Sequence, residues 1–422
     1  MIKHSINTRL YATQFVLLFS ILFGLQFVYL ANGDVLNHYP YISQDGFDWY
    51  MEGVYLTKLL AGASLPDLPV LRPPVFVFVT AADYIAGNQG LVLAAIFGLT
   101  IFCTFYFSLR IVDSVYESVE KNAWYIVPLA IGTTIYSLNF FKPFLLADSL
   151  SVSLSLASVF LLITYQLESK KYLLPLSVAV ATIAGLTQTY ALMPYMIACG
   201  IGVLLFFLVN RKQANKYLIA LIMVVLLFIL LTVAWRWLMP HETIPKNFSL
   251  LKFSVDMFDF YVSTWGYYFS PFMLFFILYR RYTIVIYTRN MVVISSALVV
   301  ILFLLLCFFY QWPEARFTYY LWPWLMILFF TSIKIQTIKG SYLISILMLV
   351  LVLMVPANYW APTWPSVKVS TNNWARDYFS SMSVDRKLNV CKENCSKTNE
   401  FMKNSDPYVN STLNVYNQIK GI

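Results

Sequence analysis

The feature that most constrains this chain is a recurring apolar run long enough to cross a bilayer. Residues 217–235, for example, contain no Asp, Glu, Lys or Arg. In hydrocarbon every backbone N–H and C=O must be satisfied within the protein, so a run of about 20 apolar residues reads as a helix. The runs are continuous and lack the alternation of barrel strands, which points to helices throughout. About eleven segments qualify, near residues 11–31, 91–110, 123–140, 150–166, 172–185, 191–210, 217–237, 265–279, 291–309, 319–333 and 342–360. The expected fold class is an all-α polytopic membrane protein with about 11 transmembrane helices, a count of about 9–12 fitting the same pattern. Composition agrees. Apolar types make up 59% of the 422 positions and charged types 12%, against about 25% charged in soluble domains. So little charge cannot cover a soluble globule of this size, which excludes a soluble enzyme, a secreted domain and a disordered tail.

The charges that remain carry orientation. With Lys3 and Arg9 in the cytoplasm, alternate connections hold Arg110, Lys121, Lys170, Lys171, Arg211, Lys212, Lys216, Arg280, Arg281, Arg289, Lys334 and Lys339. These 14 bases face four acids, Asp113, Glu117, Glu120 and Glu168. The opposite loops hold seven bases (Lys58, Arg72, Lys142, Arg236, Lys246, Lys252, Arg316) and eleven acids. The asymmetry follows the positive-inside rule, so the net charge of +9 needs no polyanion and no nucleic-acid partner is expected. An odd helix number places the C-terminal segment outside. The first apolar stretch exceeds the about 7–15 residues of a signal-peptide core and lacks a small-x-small site, so it is expected to stay as an anchor.

Two regions follow: a transmembrane domain over residues 1–360, with a first outer loop at 32–88, and a polar periplasmic tail over 361–422. The basic connections are short, and no Walker loop, GxGxxG after a strand or HExxH occurs. Chemistry is therefore expected on the outer face. Cys103, Cys199 and Cys307 lie in apolar runs as packing residues, whereas Cys391 and Cys395 are expected to form a local disulfide on an oxidising side. His4, His38 and His241 are not grouped, and no metal site is read from them.

The first outer loop contains Gln44-Asp45-Gly46-Phe47-Asp48-Trp49-Tyr50-Met51-Glu52. On a helix starting near Gly46, Asp45, Asp48 and Glu52 recur at i, i+3 and i+7 and share a face. Such a face is either a solvated acidic surface or a source of a general base for a sugar hydroxyl. Further ionisable residues mark the outer ends of expected helices: Arg72 before Pro73-Pro74, Lys142, Asp148, Arg236 with His241 and Glu242, then Glu314 and Arg316. Single bases there can snorkel to the interface. Arg72 and Arg316 are hemmed by apolar and aromatic residues, and a guanidinium suits a two-pronged grip on phosphate.

Taken in order, the stretches Asp45-Gly46 to Tyr50 and Gly62, Arg72-Pro73-Pro74, Leu145-Leu146-Ala147-Asp148-Ser149 and Glu314-Ala315-Arg316-Phe317 resemble the GT-C class. These are integral-membrane glycosyltransferases that use polyprenyl-phosphate-linked sugars. Length, an odd helix count and an outward tail look like the serotype-converting O-antigen glucosyltransferases within it. The resemblance implies a bacterial inner membrane, an undecaprenyl-phosphate sugar donor on the periplasmic face and a glycan acceptor. A donor-lipid flippase and a donor synthase would work beside it. By this resemblance Asp45 or Asp48 is the catalytic base, while Glu52, Arg72, Lys142, Asp148, Glu314 and Arg316 bind substrate. Phosphate is a competent leaving group, so no cofactor is implied. Two other classes remain open from the sequence: a lipid-linked oligosaccharide polymerase or ligase, and a lipid or sugar transporter or flippase. The nearly uncharged helix middles weigh against the last.

Overall fold

A computed structural model describes residues 2–31, 44–65, 67–68, 71–87, 90–116, 125–140, 147–241, 287–309 and 318–332. These residues are helical in α1 (Ile2–Ala31), α2 (Gln44–Leu60), α3 (Pro74–Ile85), α4 (Leu91–Val115), α5 (Ile126–Phe140), α6 (Asp148–Glu168) and α7 (Leu173–Thr187). A 3-10 turn (Thr189–Leu192) leads into α8 (Met193–Phe207), followed by α9 (Arg211–Leu238), α10 (Tyr287–Phe309) and α11 (Thr318–Ser332). Among the described residues the only β-type pairing is an isolated bridge between Leu68 and His241. The chain is thus all-helical there.

Among the described residues, five segments are long and apolar enough to cross a membrane: Thr8–Leu25, Leu91–Val115, Asp148–Glu168, Thr189–Phe207 and Arg211–Leu238. Pro74–Ile85, Leu173–Thr187, Met291–Phe303 and Tyr320–Thr331 are apolar but shorter. The expected segments at 265–279 and 342–360 lie outside the described residues, as does the tail with Cys391 and Cys395. The other expected segments fall on helices, with shifted ends: α6 begins at Asp148 and α9 at Arg211. Asn210 starts α9 because its side chain accepts the Gln213 N–H at 3.2 Å. Leu18 and Leu22 of α1 and Leu226 and Leu230 of α9 are exposed. That outward apolar surface is what lipid contact demands.

Interior packing depends on small residues and on hydroxyls that bond their own helix. A Cβ on Gly98 would lie 2.8 Å from Ser20 O, and one on Gly24 2.8 Å from Ala94 O. Only glycine lets α1 and α4 cross this closely. Ser151, Ser153 and Ser158 of α6 donate to carbonyls three residues back at 2.8, 2.9 and 2.7 Å. Back-bonding of this kind lets a serine-rich helix be buried.

Contacts between helix termini sort the bundle into two ends. At one, Arg9 of α1 meets Asp113 of α4 and Tyr125 before α5. Tyr217 of α9 donates to Gln166 of α6 at 3.2 Å there, and the Tyr116 hydroxyl bonds Phe330 O of α11. At the other end lie α2, α3, the start of α4, the start of α6, the 3-10 turn, the start of α11 and the close of α9.

Candidate active site

The segment expected as the first outer loop contains a helical hairpin of α2 and α3. α2 carries the acidic stretch, and Trp49, Tyr50 and Glu52 on it are all buried. A solvated acidic face therefore does not describe Glu52. The hairpin has one close crossing: a Cβ on Gly53 would lie 2.6 Å from Ala81 N, and the Thr80 hydroxyl donates to Trp49 O at 2.9 Å. Trp49 also meets Phe76 edge-on, with ring centroids 5.4 Å apart. Asp45, Trp49 and Gly53 follow at four-residue steps, so Asp45 lies two turns before that crossing. The side chains of Asp45 and Asp48 themselves lie outside the described residues.

α3 has no counterpart in the sequence reading, because 12 residues are too few for a span. Its signal is there in hindsight: Pro74 at the first turn, followed by an apolar run. It brings a carboxylate that sequence reasoning missed. Asp83 accepts the N–H groups of Gly90 at 3.1 Å and Val92 at 2.9 Å, together with the Tyr50 hydroxyl at 3.0 Å. A carboxylate at a helix N-terminus is favoured by the exposed N–H groups and the helix dipole. Asp83 thereby ties α2, α3 and α4 together, a structural use of an acid.

Glu52 and Arg72 are brought together. Both Glu52 carboxylate oxygens accept from the Arg72 backbone N–H, at 3.1 and 3.0 Å. Arg72 Cζ lies 5.9 Å from the Trp49 ring centroid, and Trp235 Nε1 of α9 donates to Arg72 O at 2.9 Å. The Leu68 N–H donates to Pro240 O at 3.0 Å, a second tie between this segment and the end of α9. Nearby on α2, burial with help from the Asp67 carboxylate pushes the Tyr55 phenol up to about 12. Tyr55 therefore stays protonated at neutral pH and is no base there.

Asp148 opens α6 and is buried. Its Oδ1 accepts the Tyr190 hydroxyl at 2.7 Å and that of Tyr320, and the two hydroxyls are 2.5 Å apart. Ser151 Oγ lies 3.1 Å from the Tyr320 hydroxyl. Phe303 of α10 stacks on Tyr320 with centroids 5.5 Å apart. Asp148 Oδ2 and its neighbour Ser149 Oγ have no hydrogen-bond partner among the described residues. A buried carboxylate oxygen without a donor is costly, and such groups mark places where a ligand, ion or water completes the bonding.

Of the residues expected from sequence, the structure therefore places Glu52, Arg72 and Asp148 at one end of the bundle: Glu52 on the helix that carries Asp45 and Asp48, Arg72 beside it, and Asp148 at the start of α6. Lys142, Glu314 and Arg316 lie outside the described residues. Arg236 is exposed, and His241 Nδ1 lies 2.8 Å from Met239 O, within its own turn. Trp235, Tyr190 and Tyr320 were not singled out as site residues. The sequence carries many aromatics, but nothing along it marks which of them reach an acid or an arginine. Among the described residues no group of three or more His, Cys, Asp or Glu could hold a metal ion. No family model and no curated protein sequence matches this chain.

Proposed function

We propose that this chain is an integral-membrane glycosyltransferase of GT-C type. It moves a hexose, glucose by the family parallel, from a polyprenyl-phosphate donor to O-antigen or another cell-surface glycan. The reaction takes place at the periplasmic face of the bacterial inner membrane. An acceptor hydroxyl oxygen attacks the anomeric carbon, the bond from that carbon to the phosphate oxygen breaks, and the configuration inverts. Asp45 or Asp48 on α2 takes the hydroxyl proton. Arg72, joined by Arg316, offsets the charge that collects on the departing polyprenyl phosphate. Asp148, with Lys142 and Glu314, binds sugar or acceptor.

The observation that carries this reading is the convergence of Glu52, Arg72 and Trp49 at the acid-bearing helix, at the same end as Asp148, whose Oδ2 has no partner among the described residues. An acid-bearing helix beside an aromatic-backed arginine suits a substrate that joins a sugar to a phosphate. The test is glycan analysis of cells carrying wild-type or Asp45→Asn/Asp48→Asn protein. Asn keeps the size and removes the basicity, so transfer should fall by about 10²–10⁴-fold at unchanged protein level. Full transfer by the double variant would sink the assignment, and retained transfer with Asp45 alone changed would move the base to Asp48.

A further inference from the structure

The peptide of Arg72 is gripped from both sides by helices distant in sequence. Glu52 of α2 takes its N–H, at 3.0 and 3.1 Å, and Trp235 of α9 gives its indole N–H to the carbonyl at 2.9 Å. Glu52 is 1% exposed and Trp235 6%. Pro73 follows with φ −59°, and Pro74 begins α3, so the chain is also stiff on its C-terminal side. Trp49 backs the guanidinium at 5.9 Å. An irregular connection needs its polar groups satisfied, which water or one neighbour can do. Here a buried carboxylate and a buried tryptophan converge on a single residue, fixing the direction of its Cα–Cβ bond. A long cation held this way loses less freedom when it meets an anion.

We propose that Glu52, Trp49 and Trp235 are positioning residues that aim the Arg72 guanidinium at the phosphate of a polyprenyl-linked ligand. This inference rests on the phosphate-donor reading above and deepens it. This end of the protein recognises the lipid by its phosphate more than by its chain. It also makes the end of α9, 163 residues from Arg72 in sequence, part of the donor site.

The test uses the full chain, purified in lipid nanodiscs, and compares binding of a polyprenyl phosphate with that of the polyprenol of equal length. The readout is the ratio of the two affinities, which a general loss of structure does not change selectively. Wild type should favour the phosphate, and Arg72→Gln should abolish the preference. Trp235→Phe keeps the ring and removes the N–H donor, and should reduce the ratio by about three- to tenfold, the weight of one hydrogen bond. Glu52→Gln should act in the same direction, and Trp235→Phe carries the test if that variant does not fold. Trp237→Phe, two residues on and 92% exposed, is the control and should leave the ratio alone. A full preference in Trp235→Phe with the preference lost in Arg72→Gln overturns the positioning role and leaves the phosphate reading standing. Equal weakening for phosphate and alcohol shows a merely structural role and overturns it too. No preference in wild type, or a preference that survives Arg72→Gln, overturns both.

Discussion

Asp113 and Asp148 are carboxylates at opposite ends of the bundle, and their surroundings differ in kind. Asp113 receives the Arg9 guanidinium on both oxygens, at 2.6 and 3.1 Å, with the Tyr125 hydroxyl on Oδ1 at 2.5 Å. Asp148 has two phenol hydroxyls on one oxygen and no partner on the other among the described residues. A forked arginine–carboxylate pair brings its own counter-charge and is complete as it stands. Neutral hydroxyls bring a carboxylate hydrogen bonds but no counter-charge. One end is therefore closed around α1, α4 and α5, and the other retains bonding capacity that no described residue takes up.

The sharpest way to break this contrast is to neutralise each acid in turn. Asp148→Asn should lower transfer by about 10- to 100-fold, the weight of a hydrogen bond to a charged group. Melting in detergent should change little. Should Asp113→Asn impair transfer as strongly, the two ends would not differ in role. The second expectation concerns packing at the site end. Gly53→Ala puts a methyl group 2.6 Å from Ala81 N and 2.8 Å from Thr80 C, backbone that cannot step aside. It should destabilise the hairpin by about 1–3 kcal/mol, read as a lower melting temperature, and transfer should fall with it. Gly200→Ala, which meets nothing within 4 Å, should cost nothing.

At the closed end the effects should be smaller and confined to stability. Arg9→Met leaves Asp113 with only the longer Arg110 pair at 3.9 Å, but the Arg9 side chain is 32% exposed and water screens the lost pair. The loss should be about 1–2 kcal/mol, below that of a fully buried pair. Transfer per folded molecule should stay at the wild-type level, and a specific loss of transfer would merge the two ends into one functional unit. The smallest effect is reserved for Glu168, whose hydrogen bond raises the Lys170 ammonium above its ordinary value. Both side chains are about half exposed at a separation of 2.7 Å. Glu168→Gln should leave melting and transfer unchanged, because an exposed pair of this kind adds little.

The acids Glu52 and Asp148 and the base Arg72 could be named from the sequence, while the bonds they make could not. The i, i+3, i+7 spacing put Glu52 on one face with Asp45 and Asp48. Spacing names the residues on a face but not what the face meets, and Glu52 meets a backbone N–H 20 residues away. Asp148 was visible as an acid at a helix end. Its partners Tyr190 and Tyr320 lie 42 and 172 residues further on, where no spacing or motif links them to an acid. The α3 helix escaped because a length criterion made for spans ignores a 12-residue apolar helix packed inside the protein.

The sequence by itself determined that this chain is helical and suited to a membrane. Hydrophobic length and the need to satisfy the backbone in hydrocarbon are local properties, readable run by run. The tertiary structure alone decided which polar groups meet. It set Glu52 and Trp235 on one peptide of Arg72, gave Asp148 two tyrosines on a single oxygen, and used Asp83 to cap α4. Hydrogen bonds require atoms within about 3 Å at a defined angle. Only the crossing of helices far apart in sequence brings those atoms together, and no periodicity along the chain encodes it.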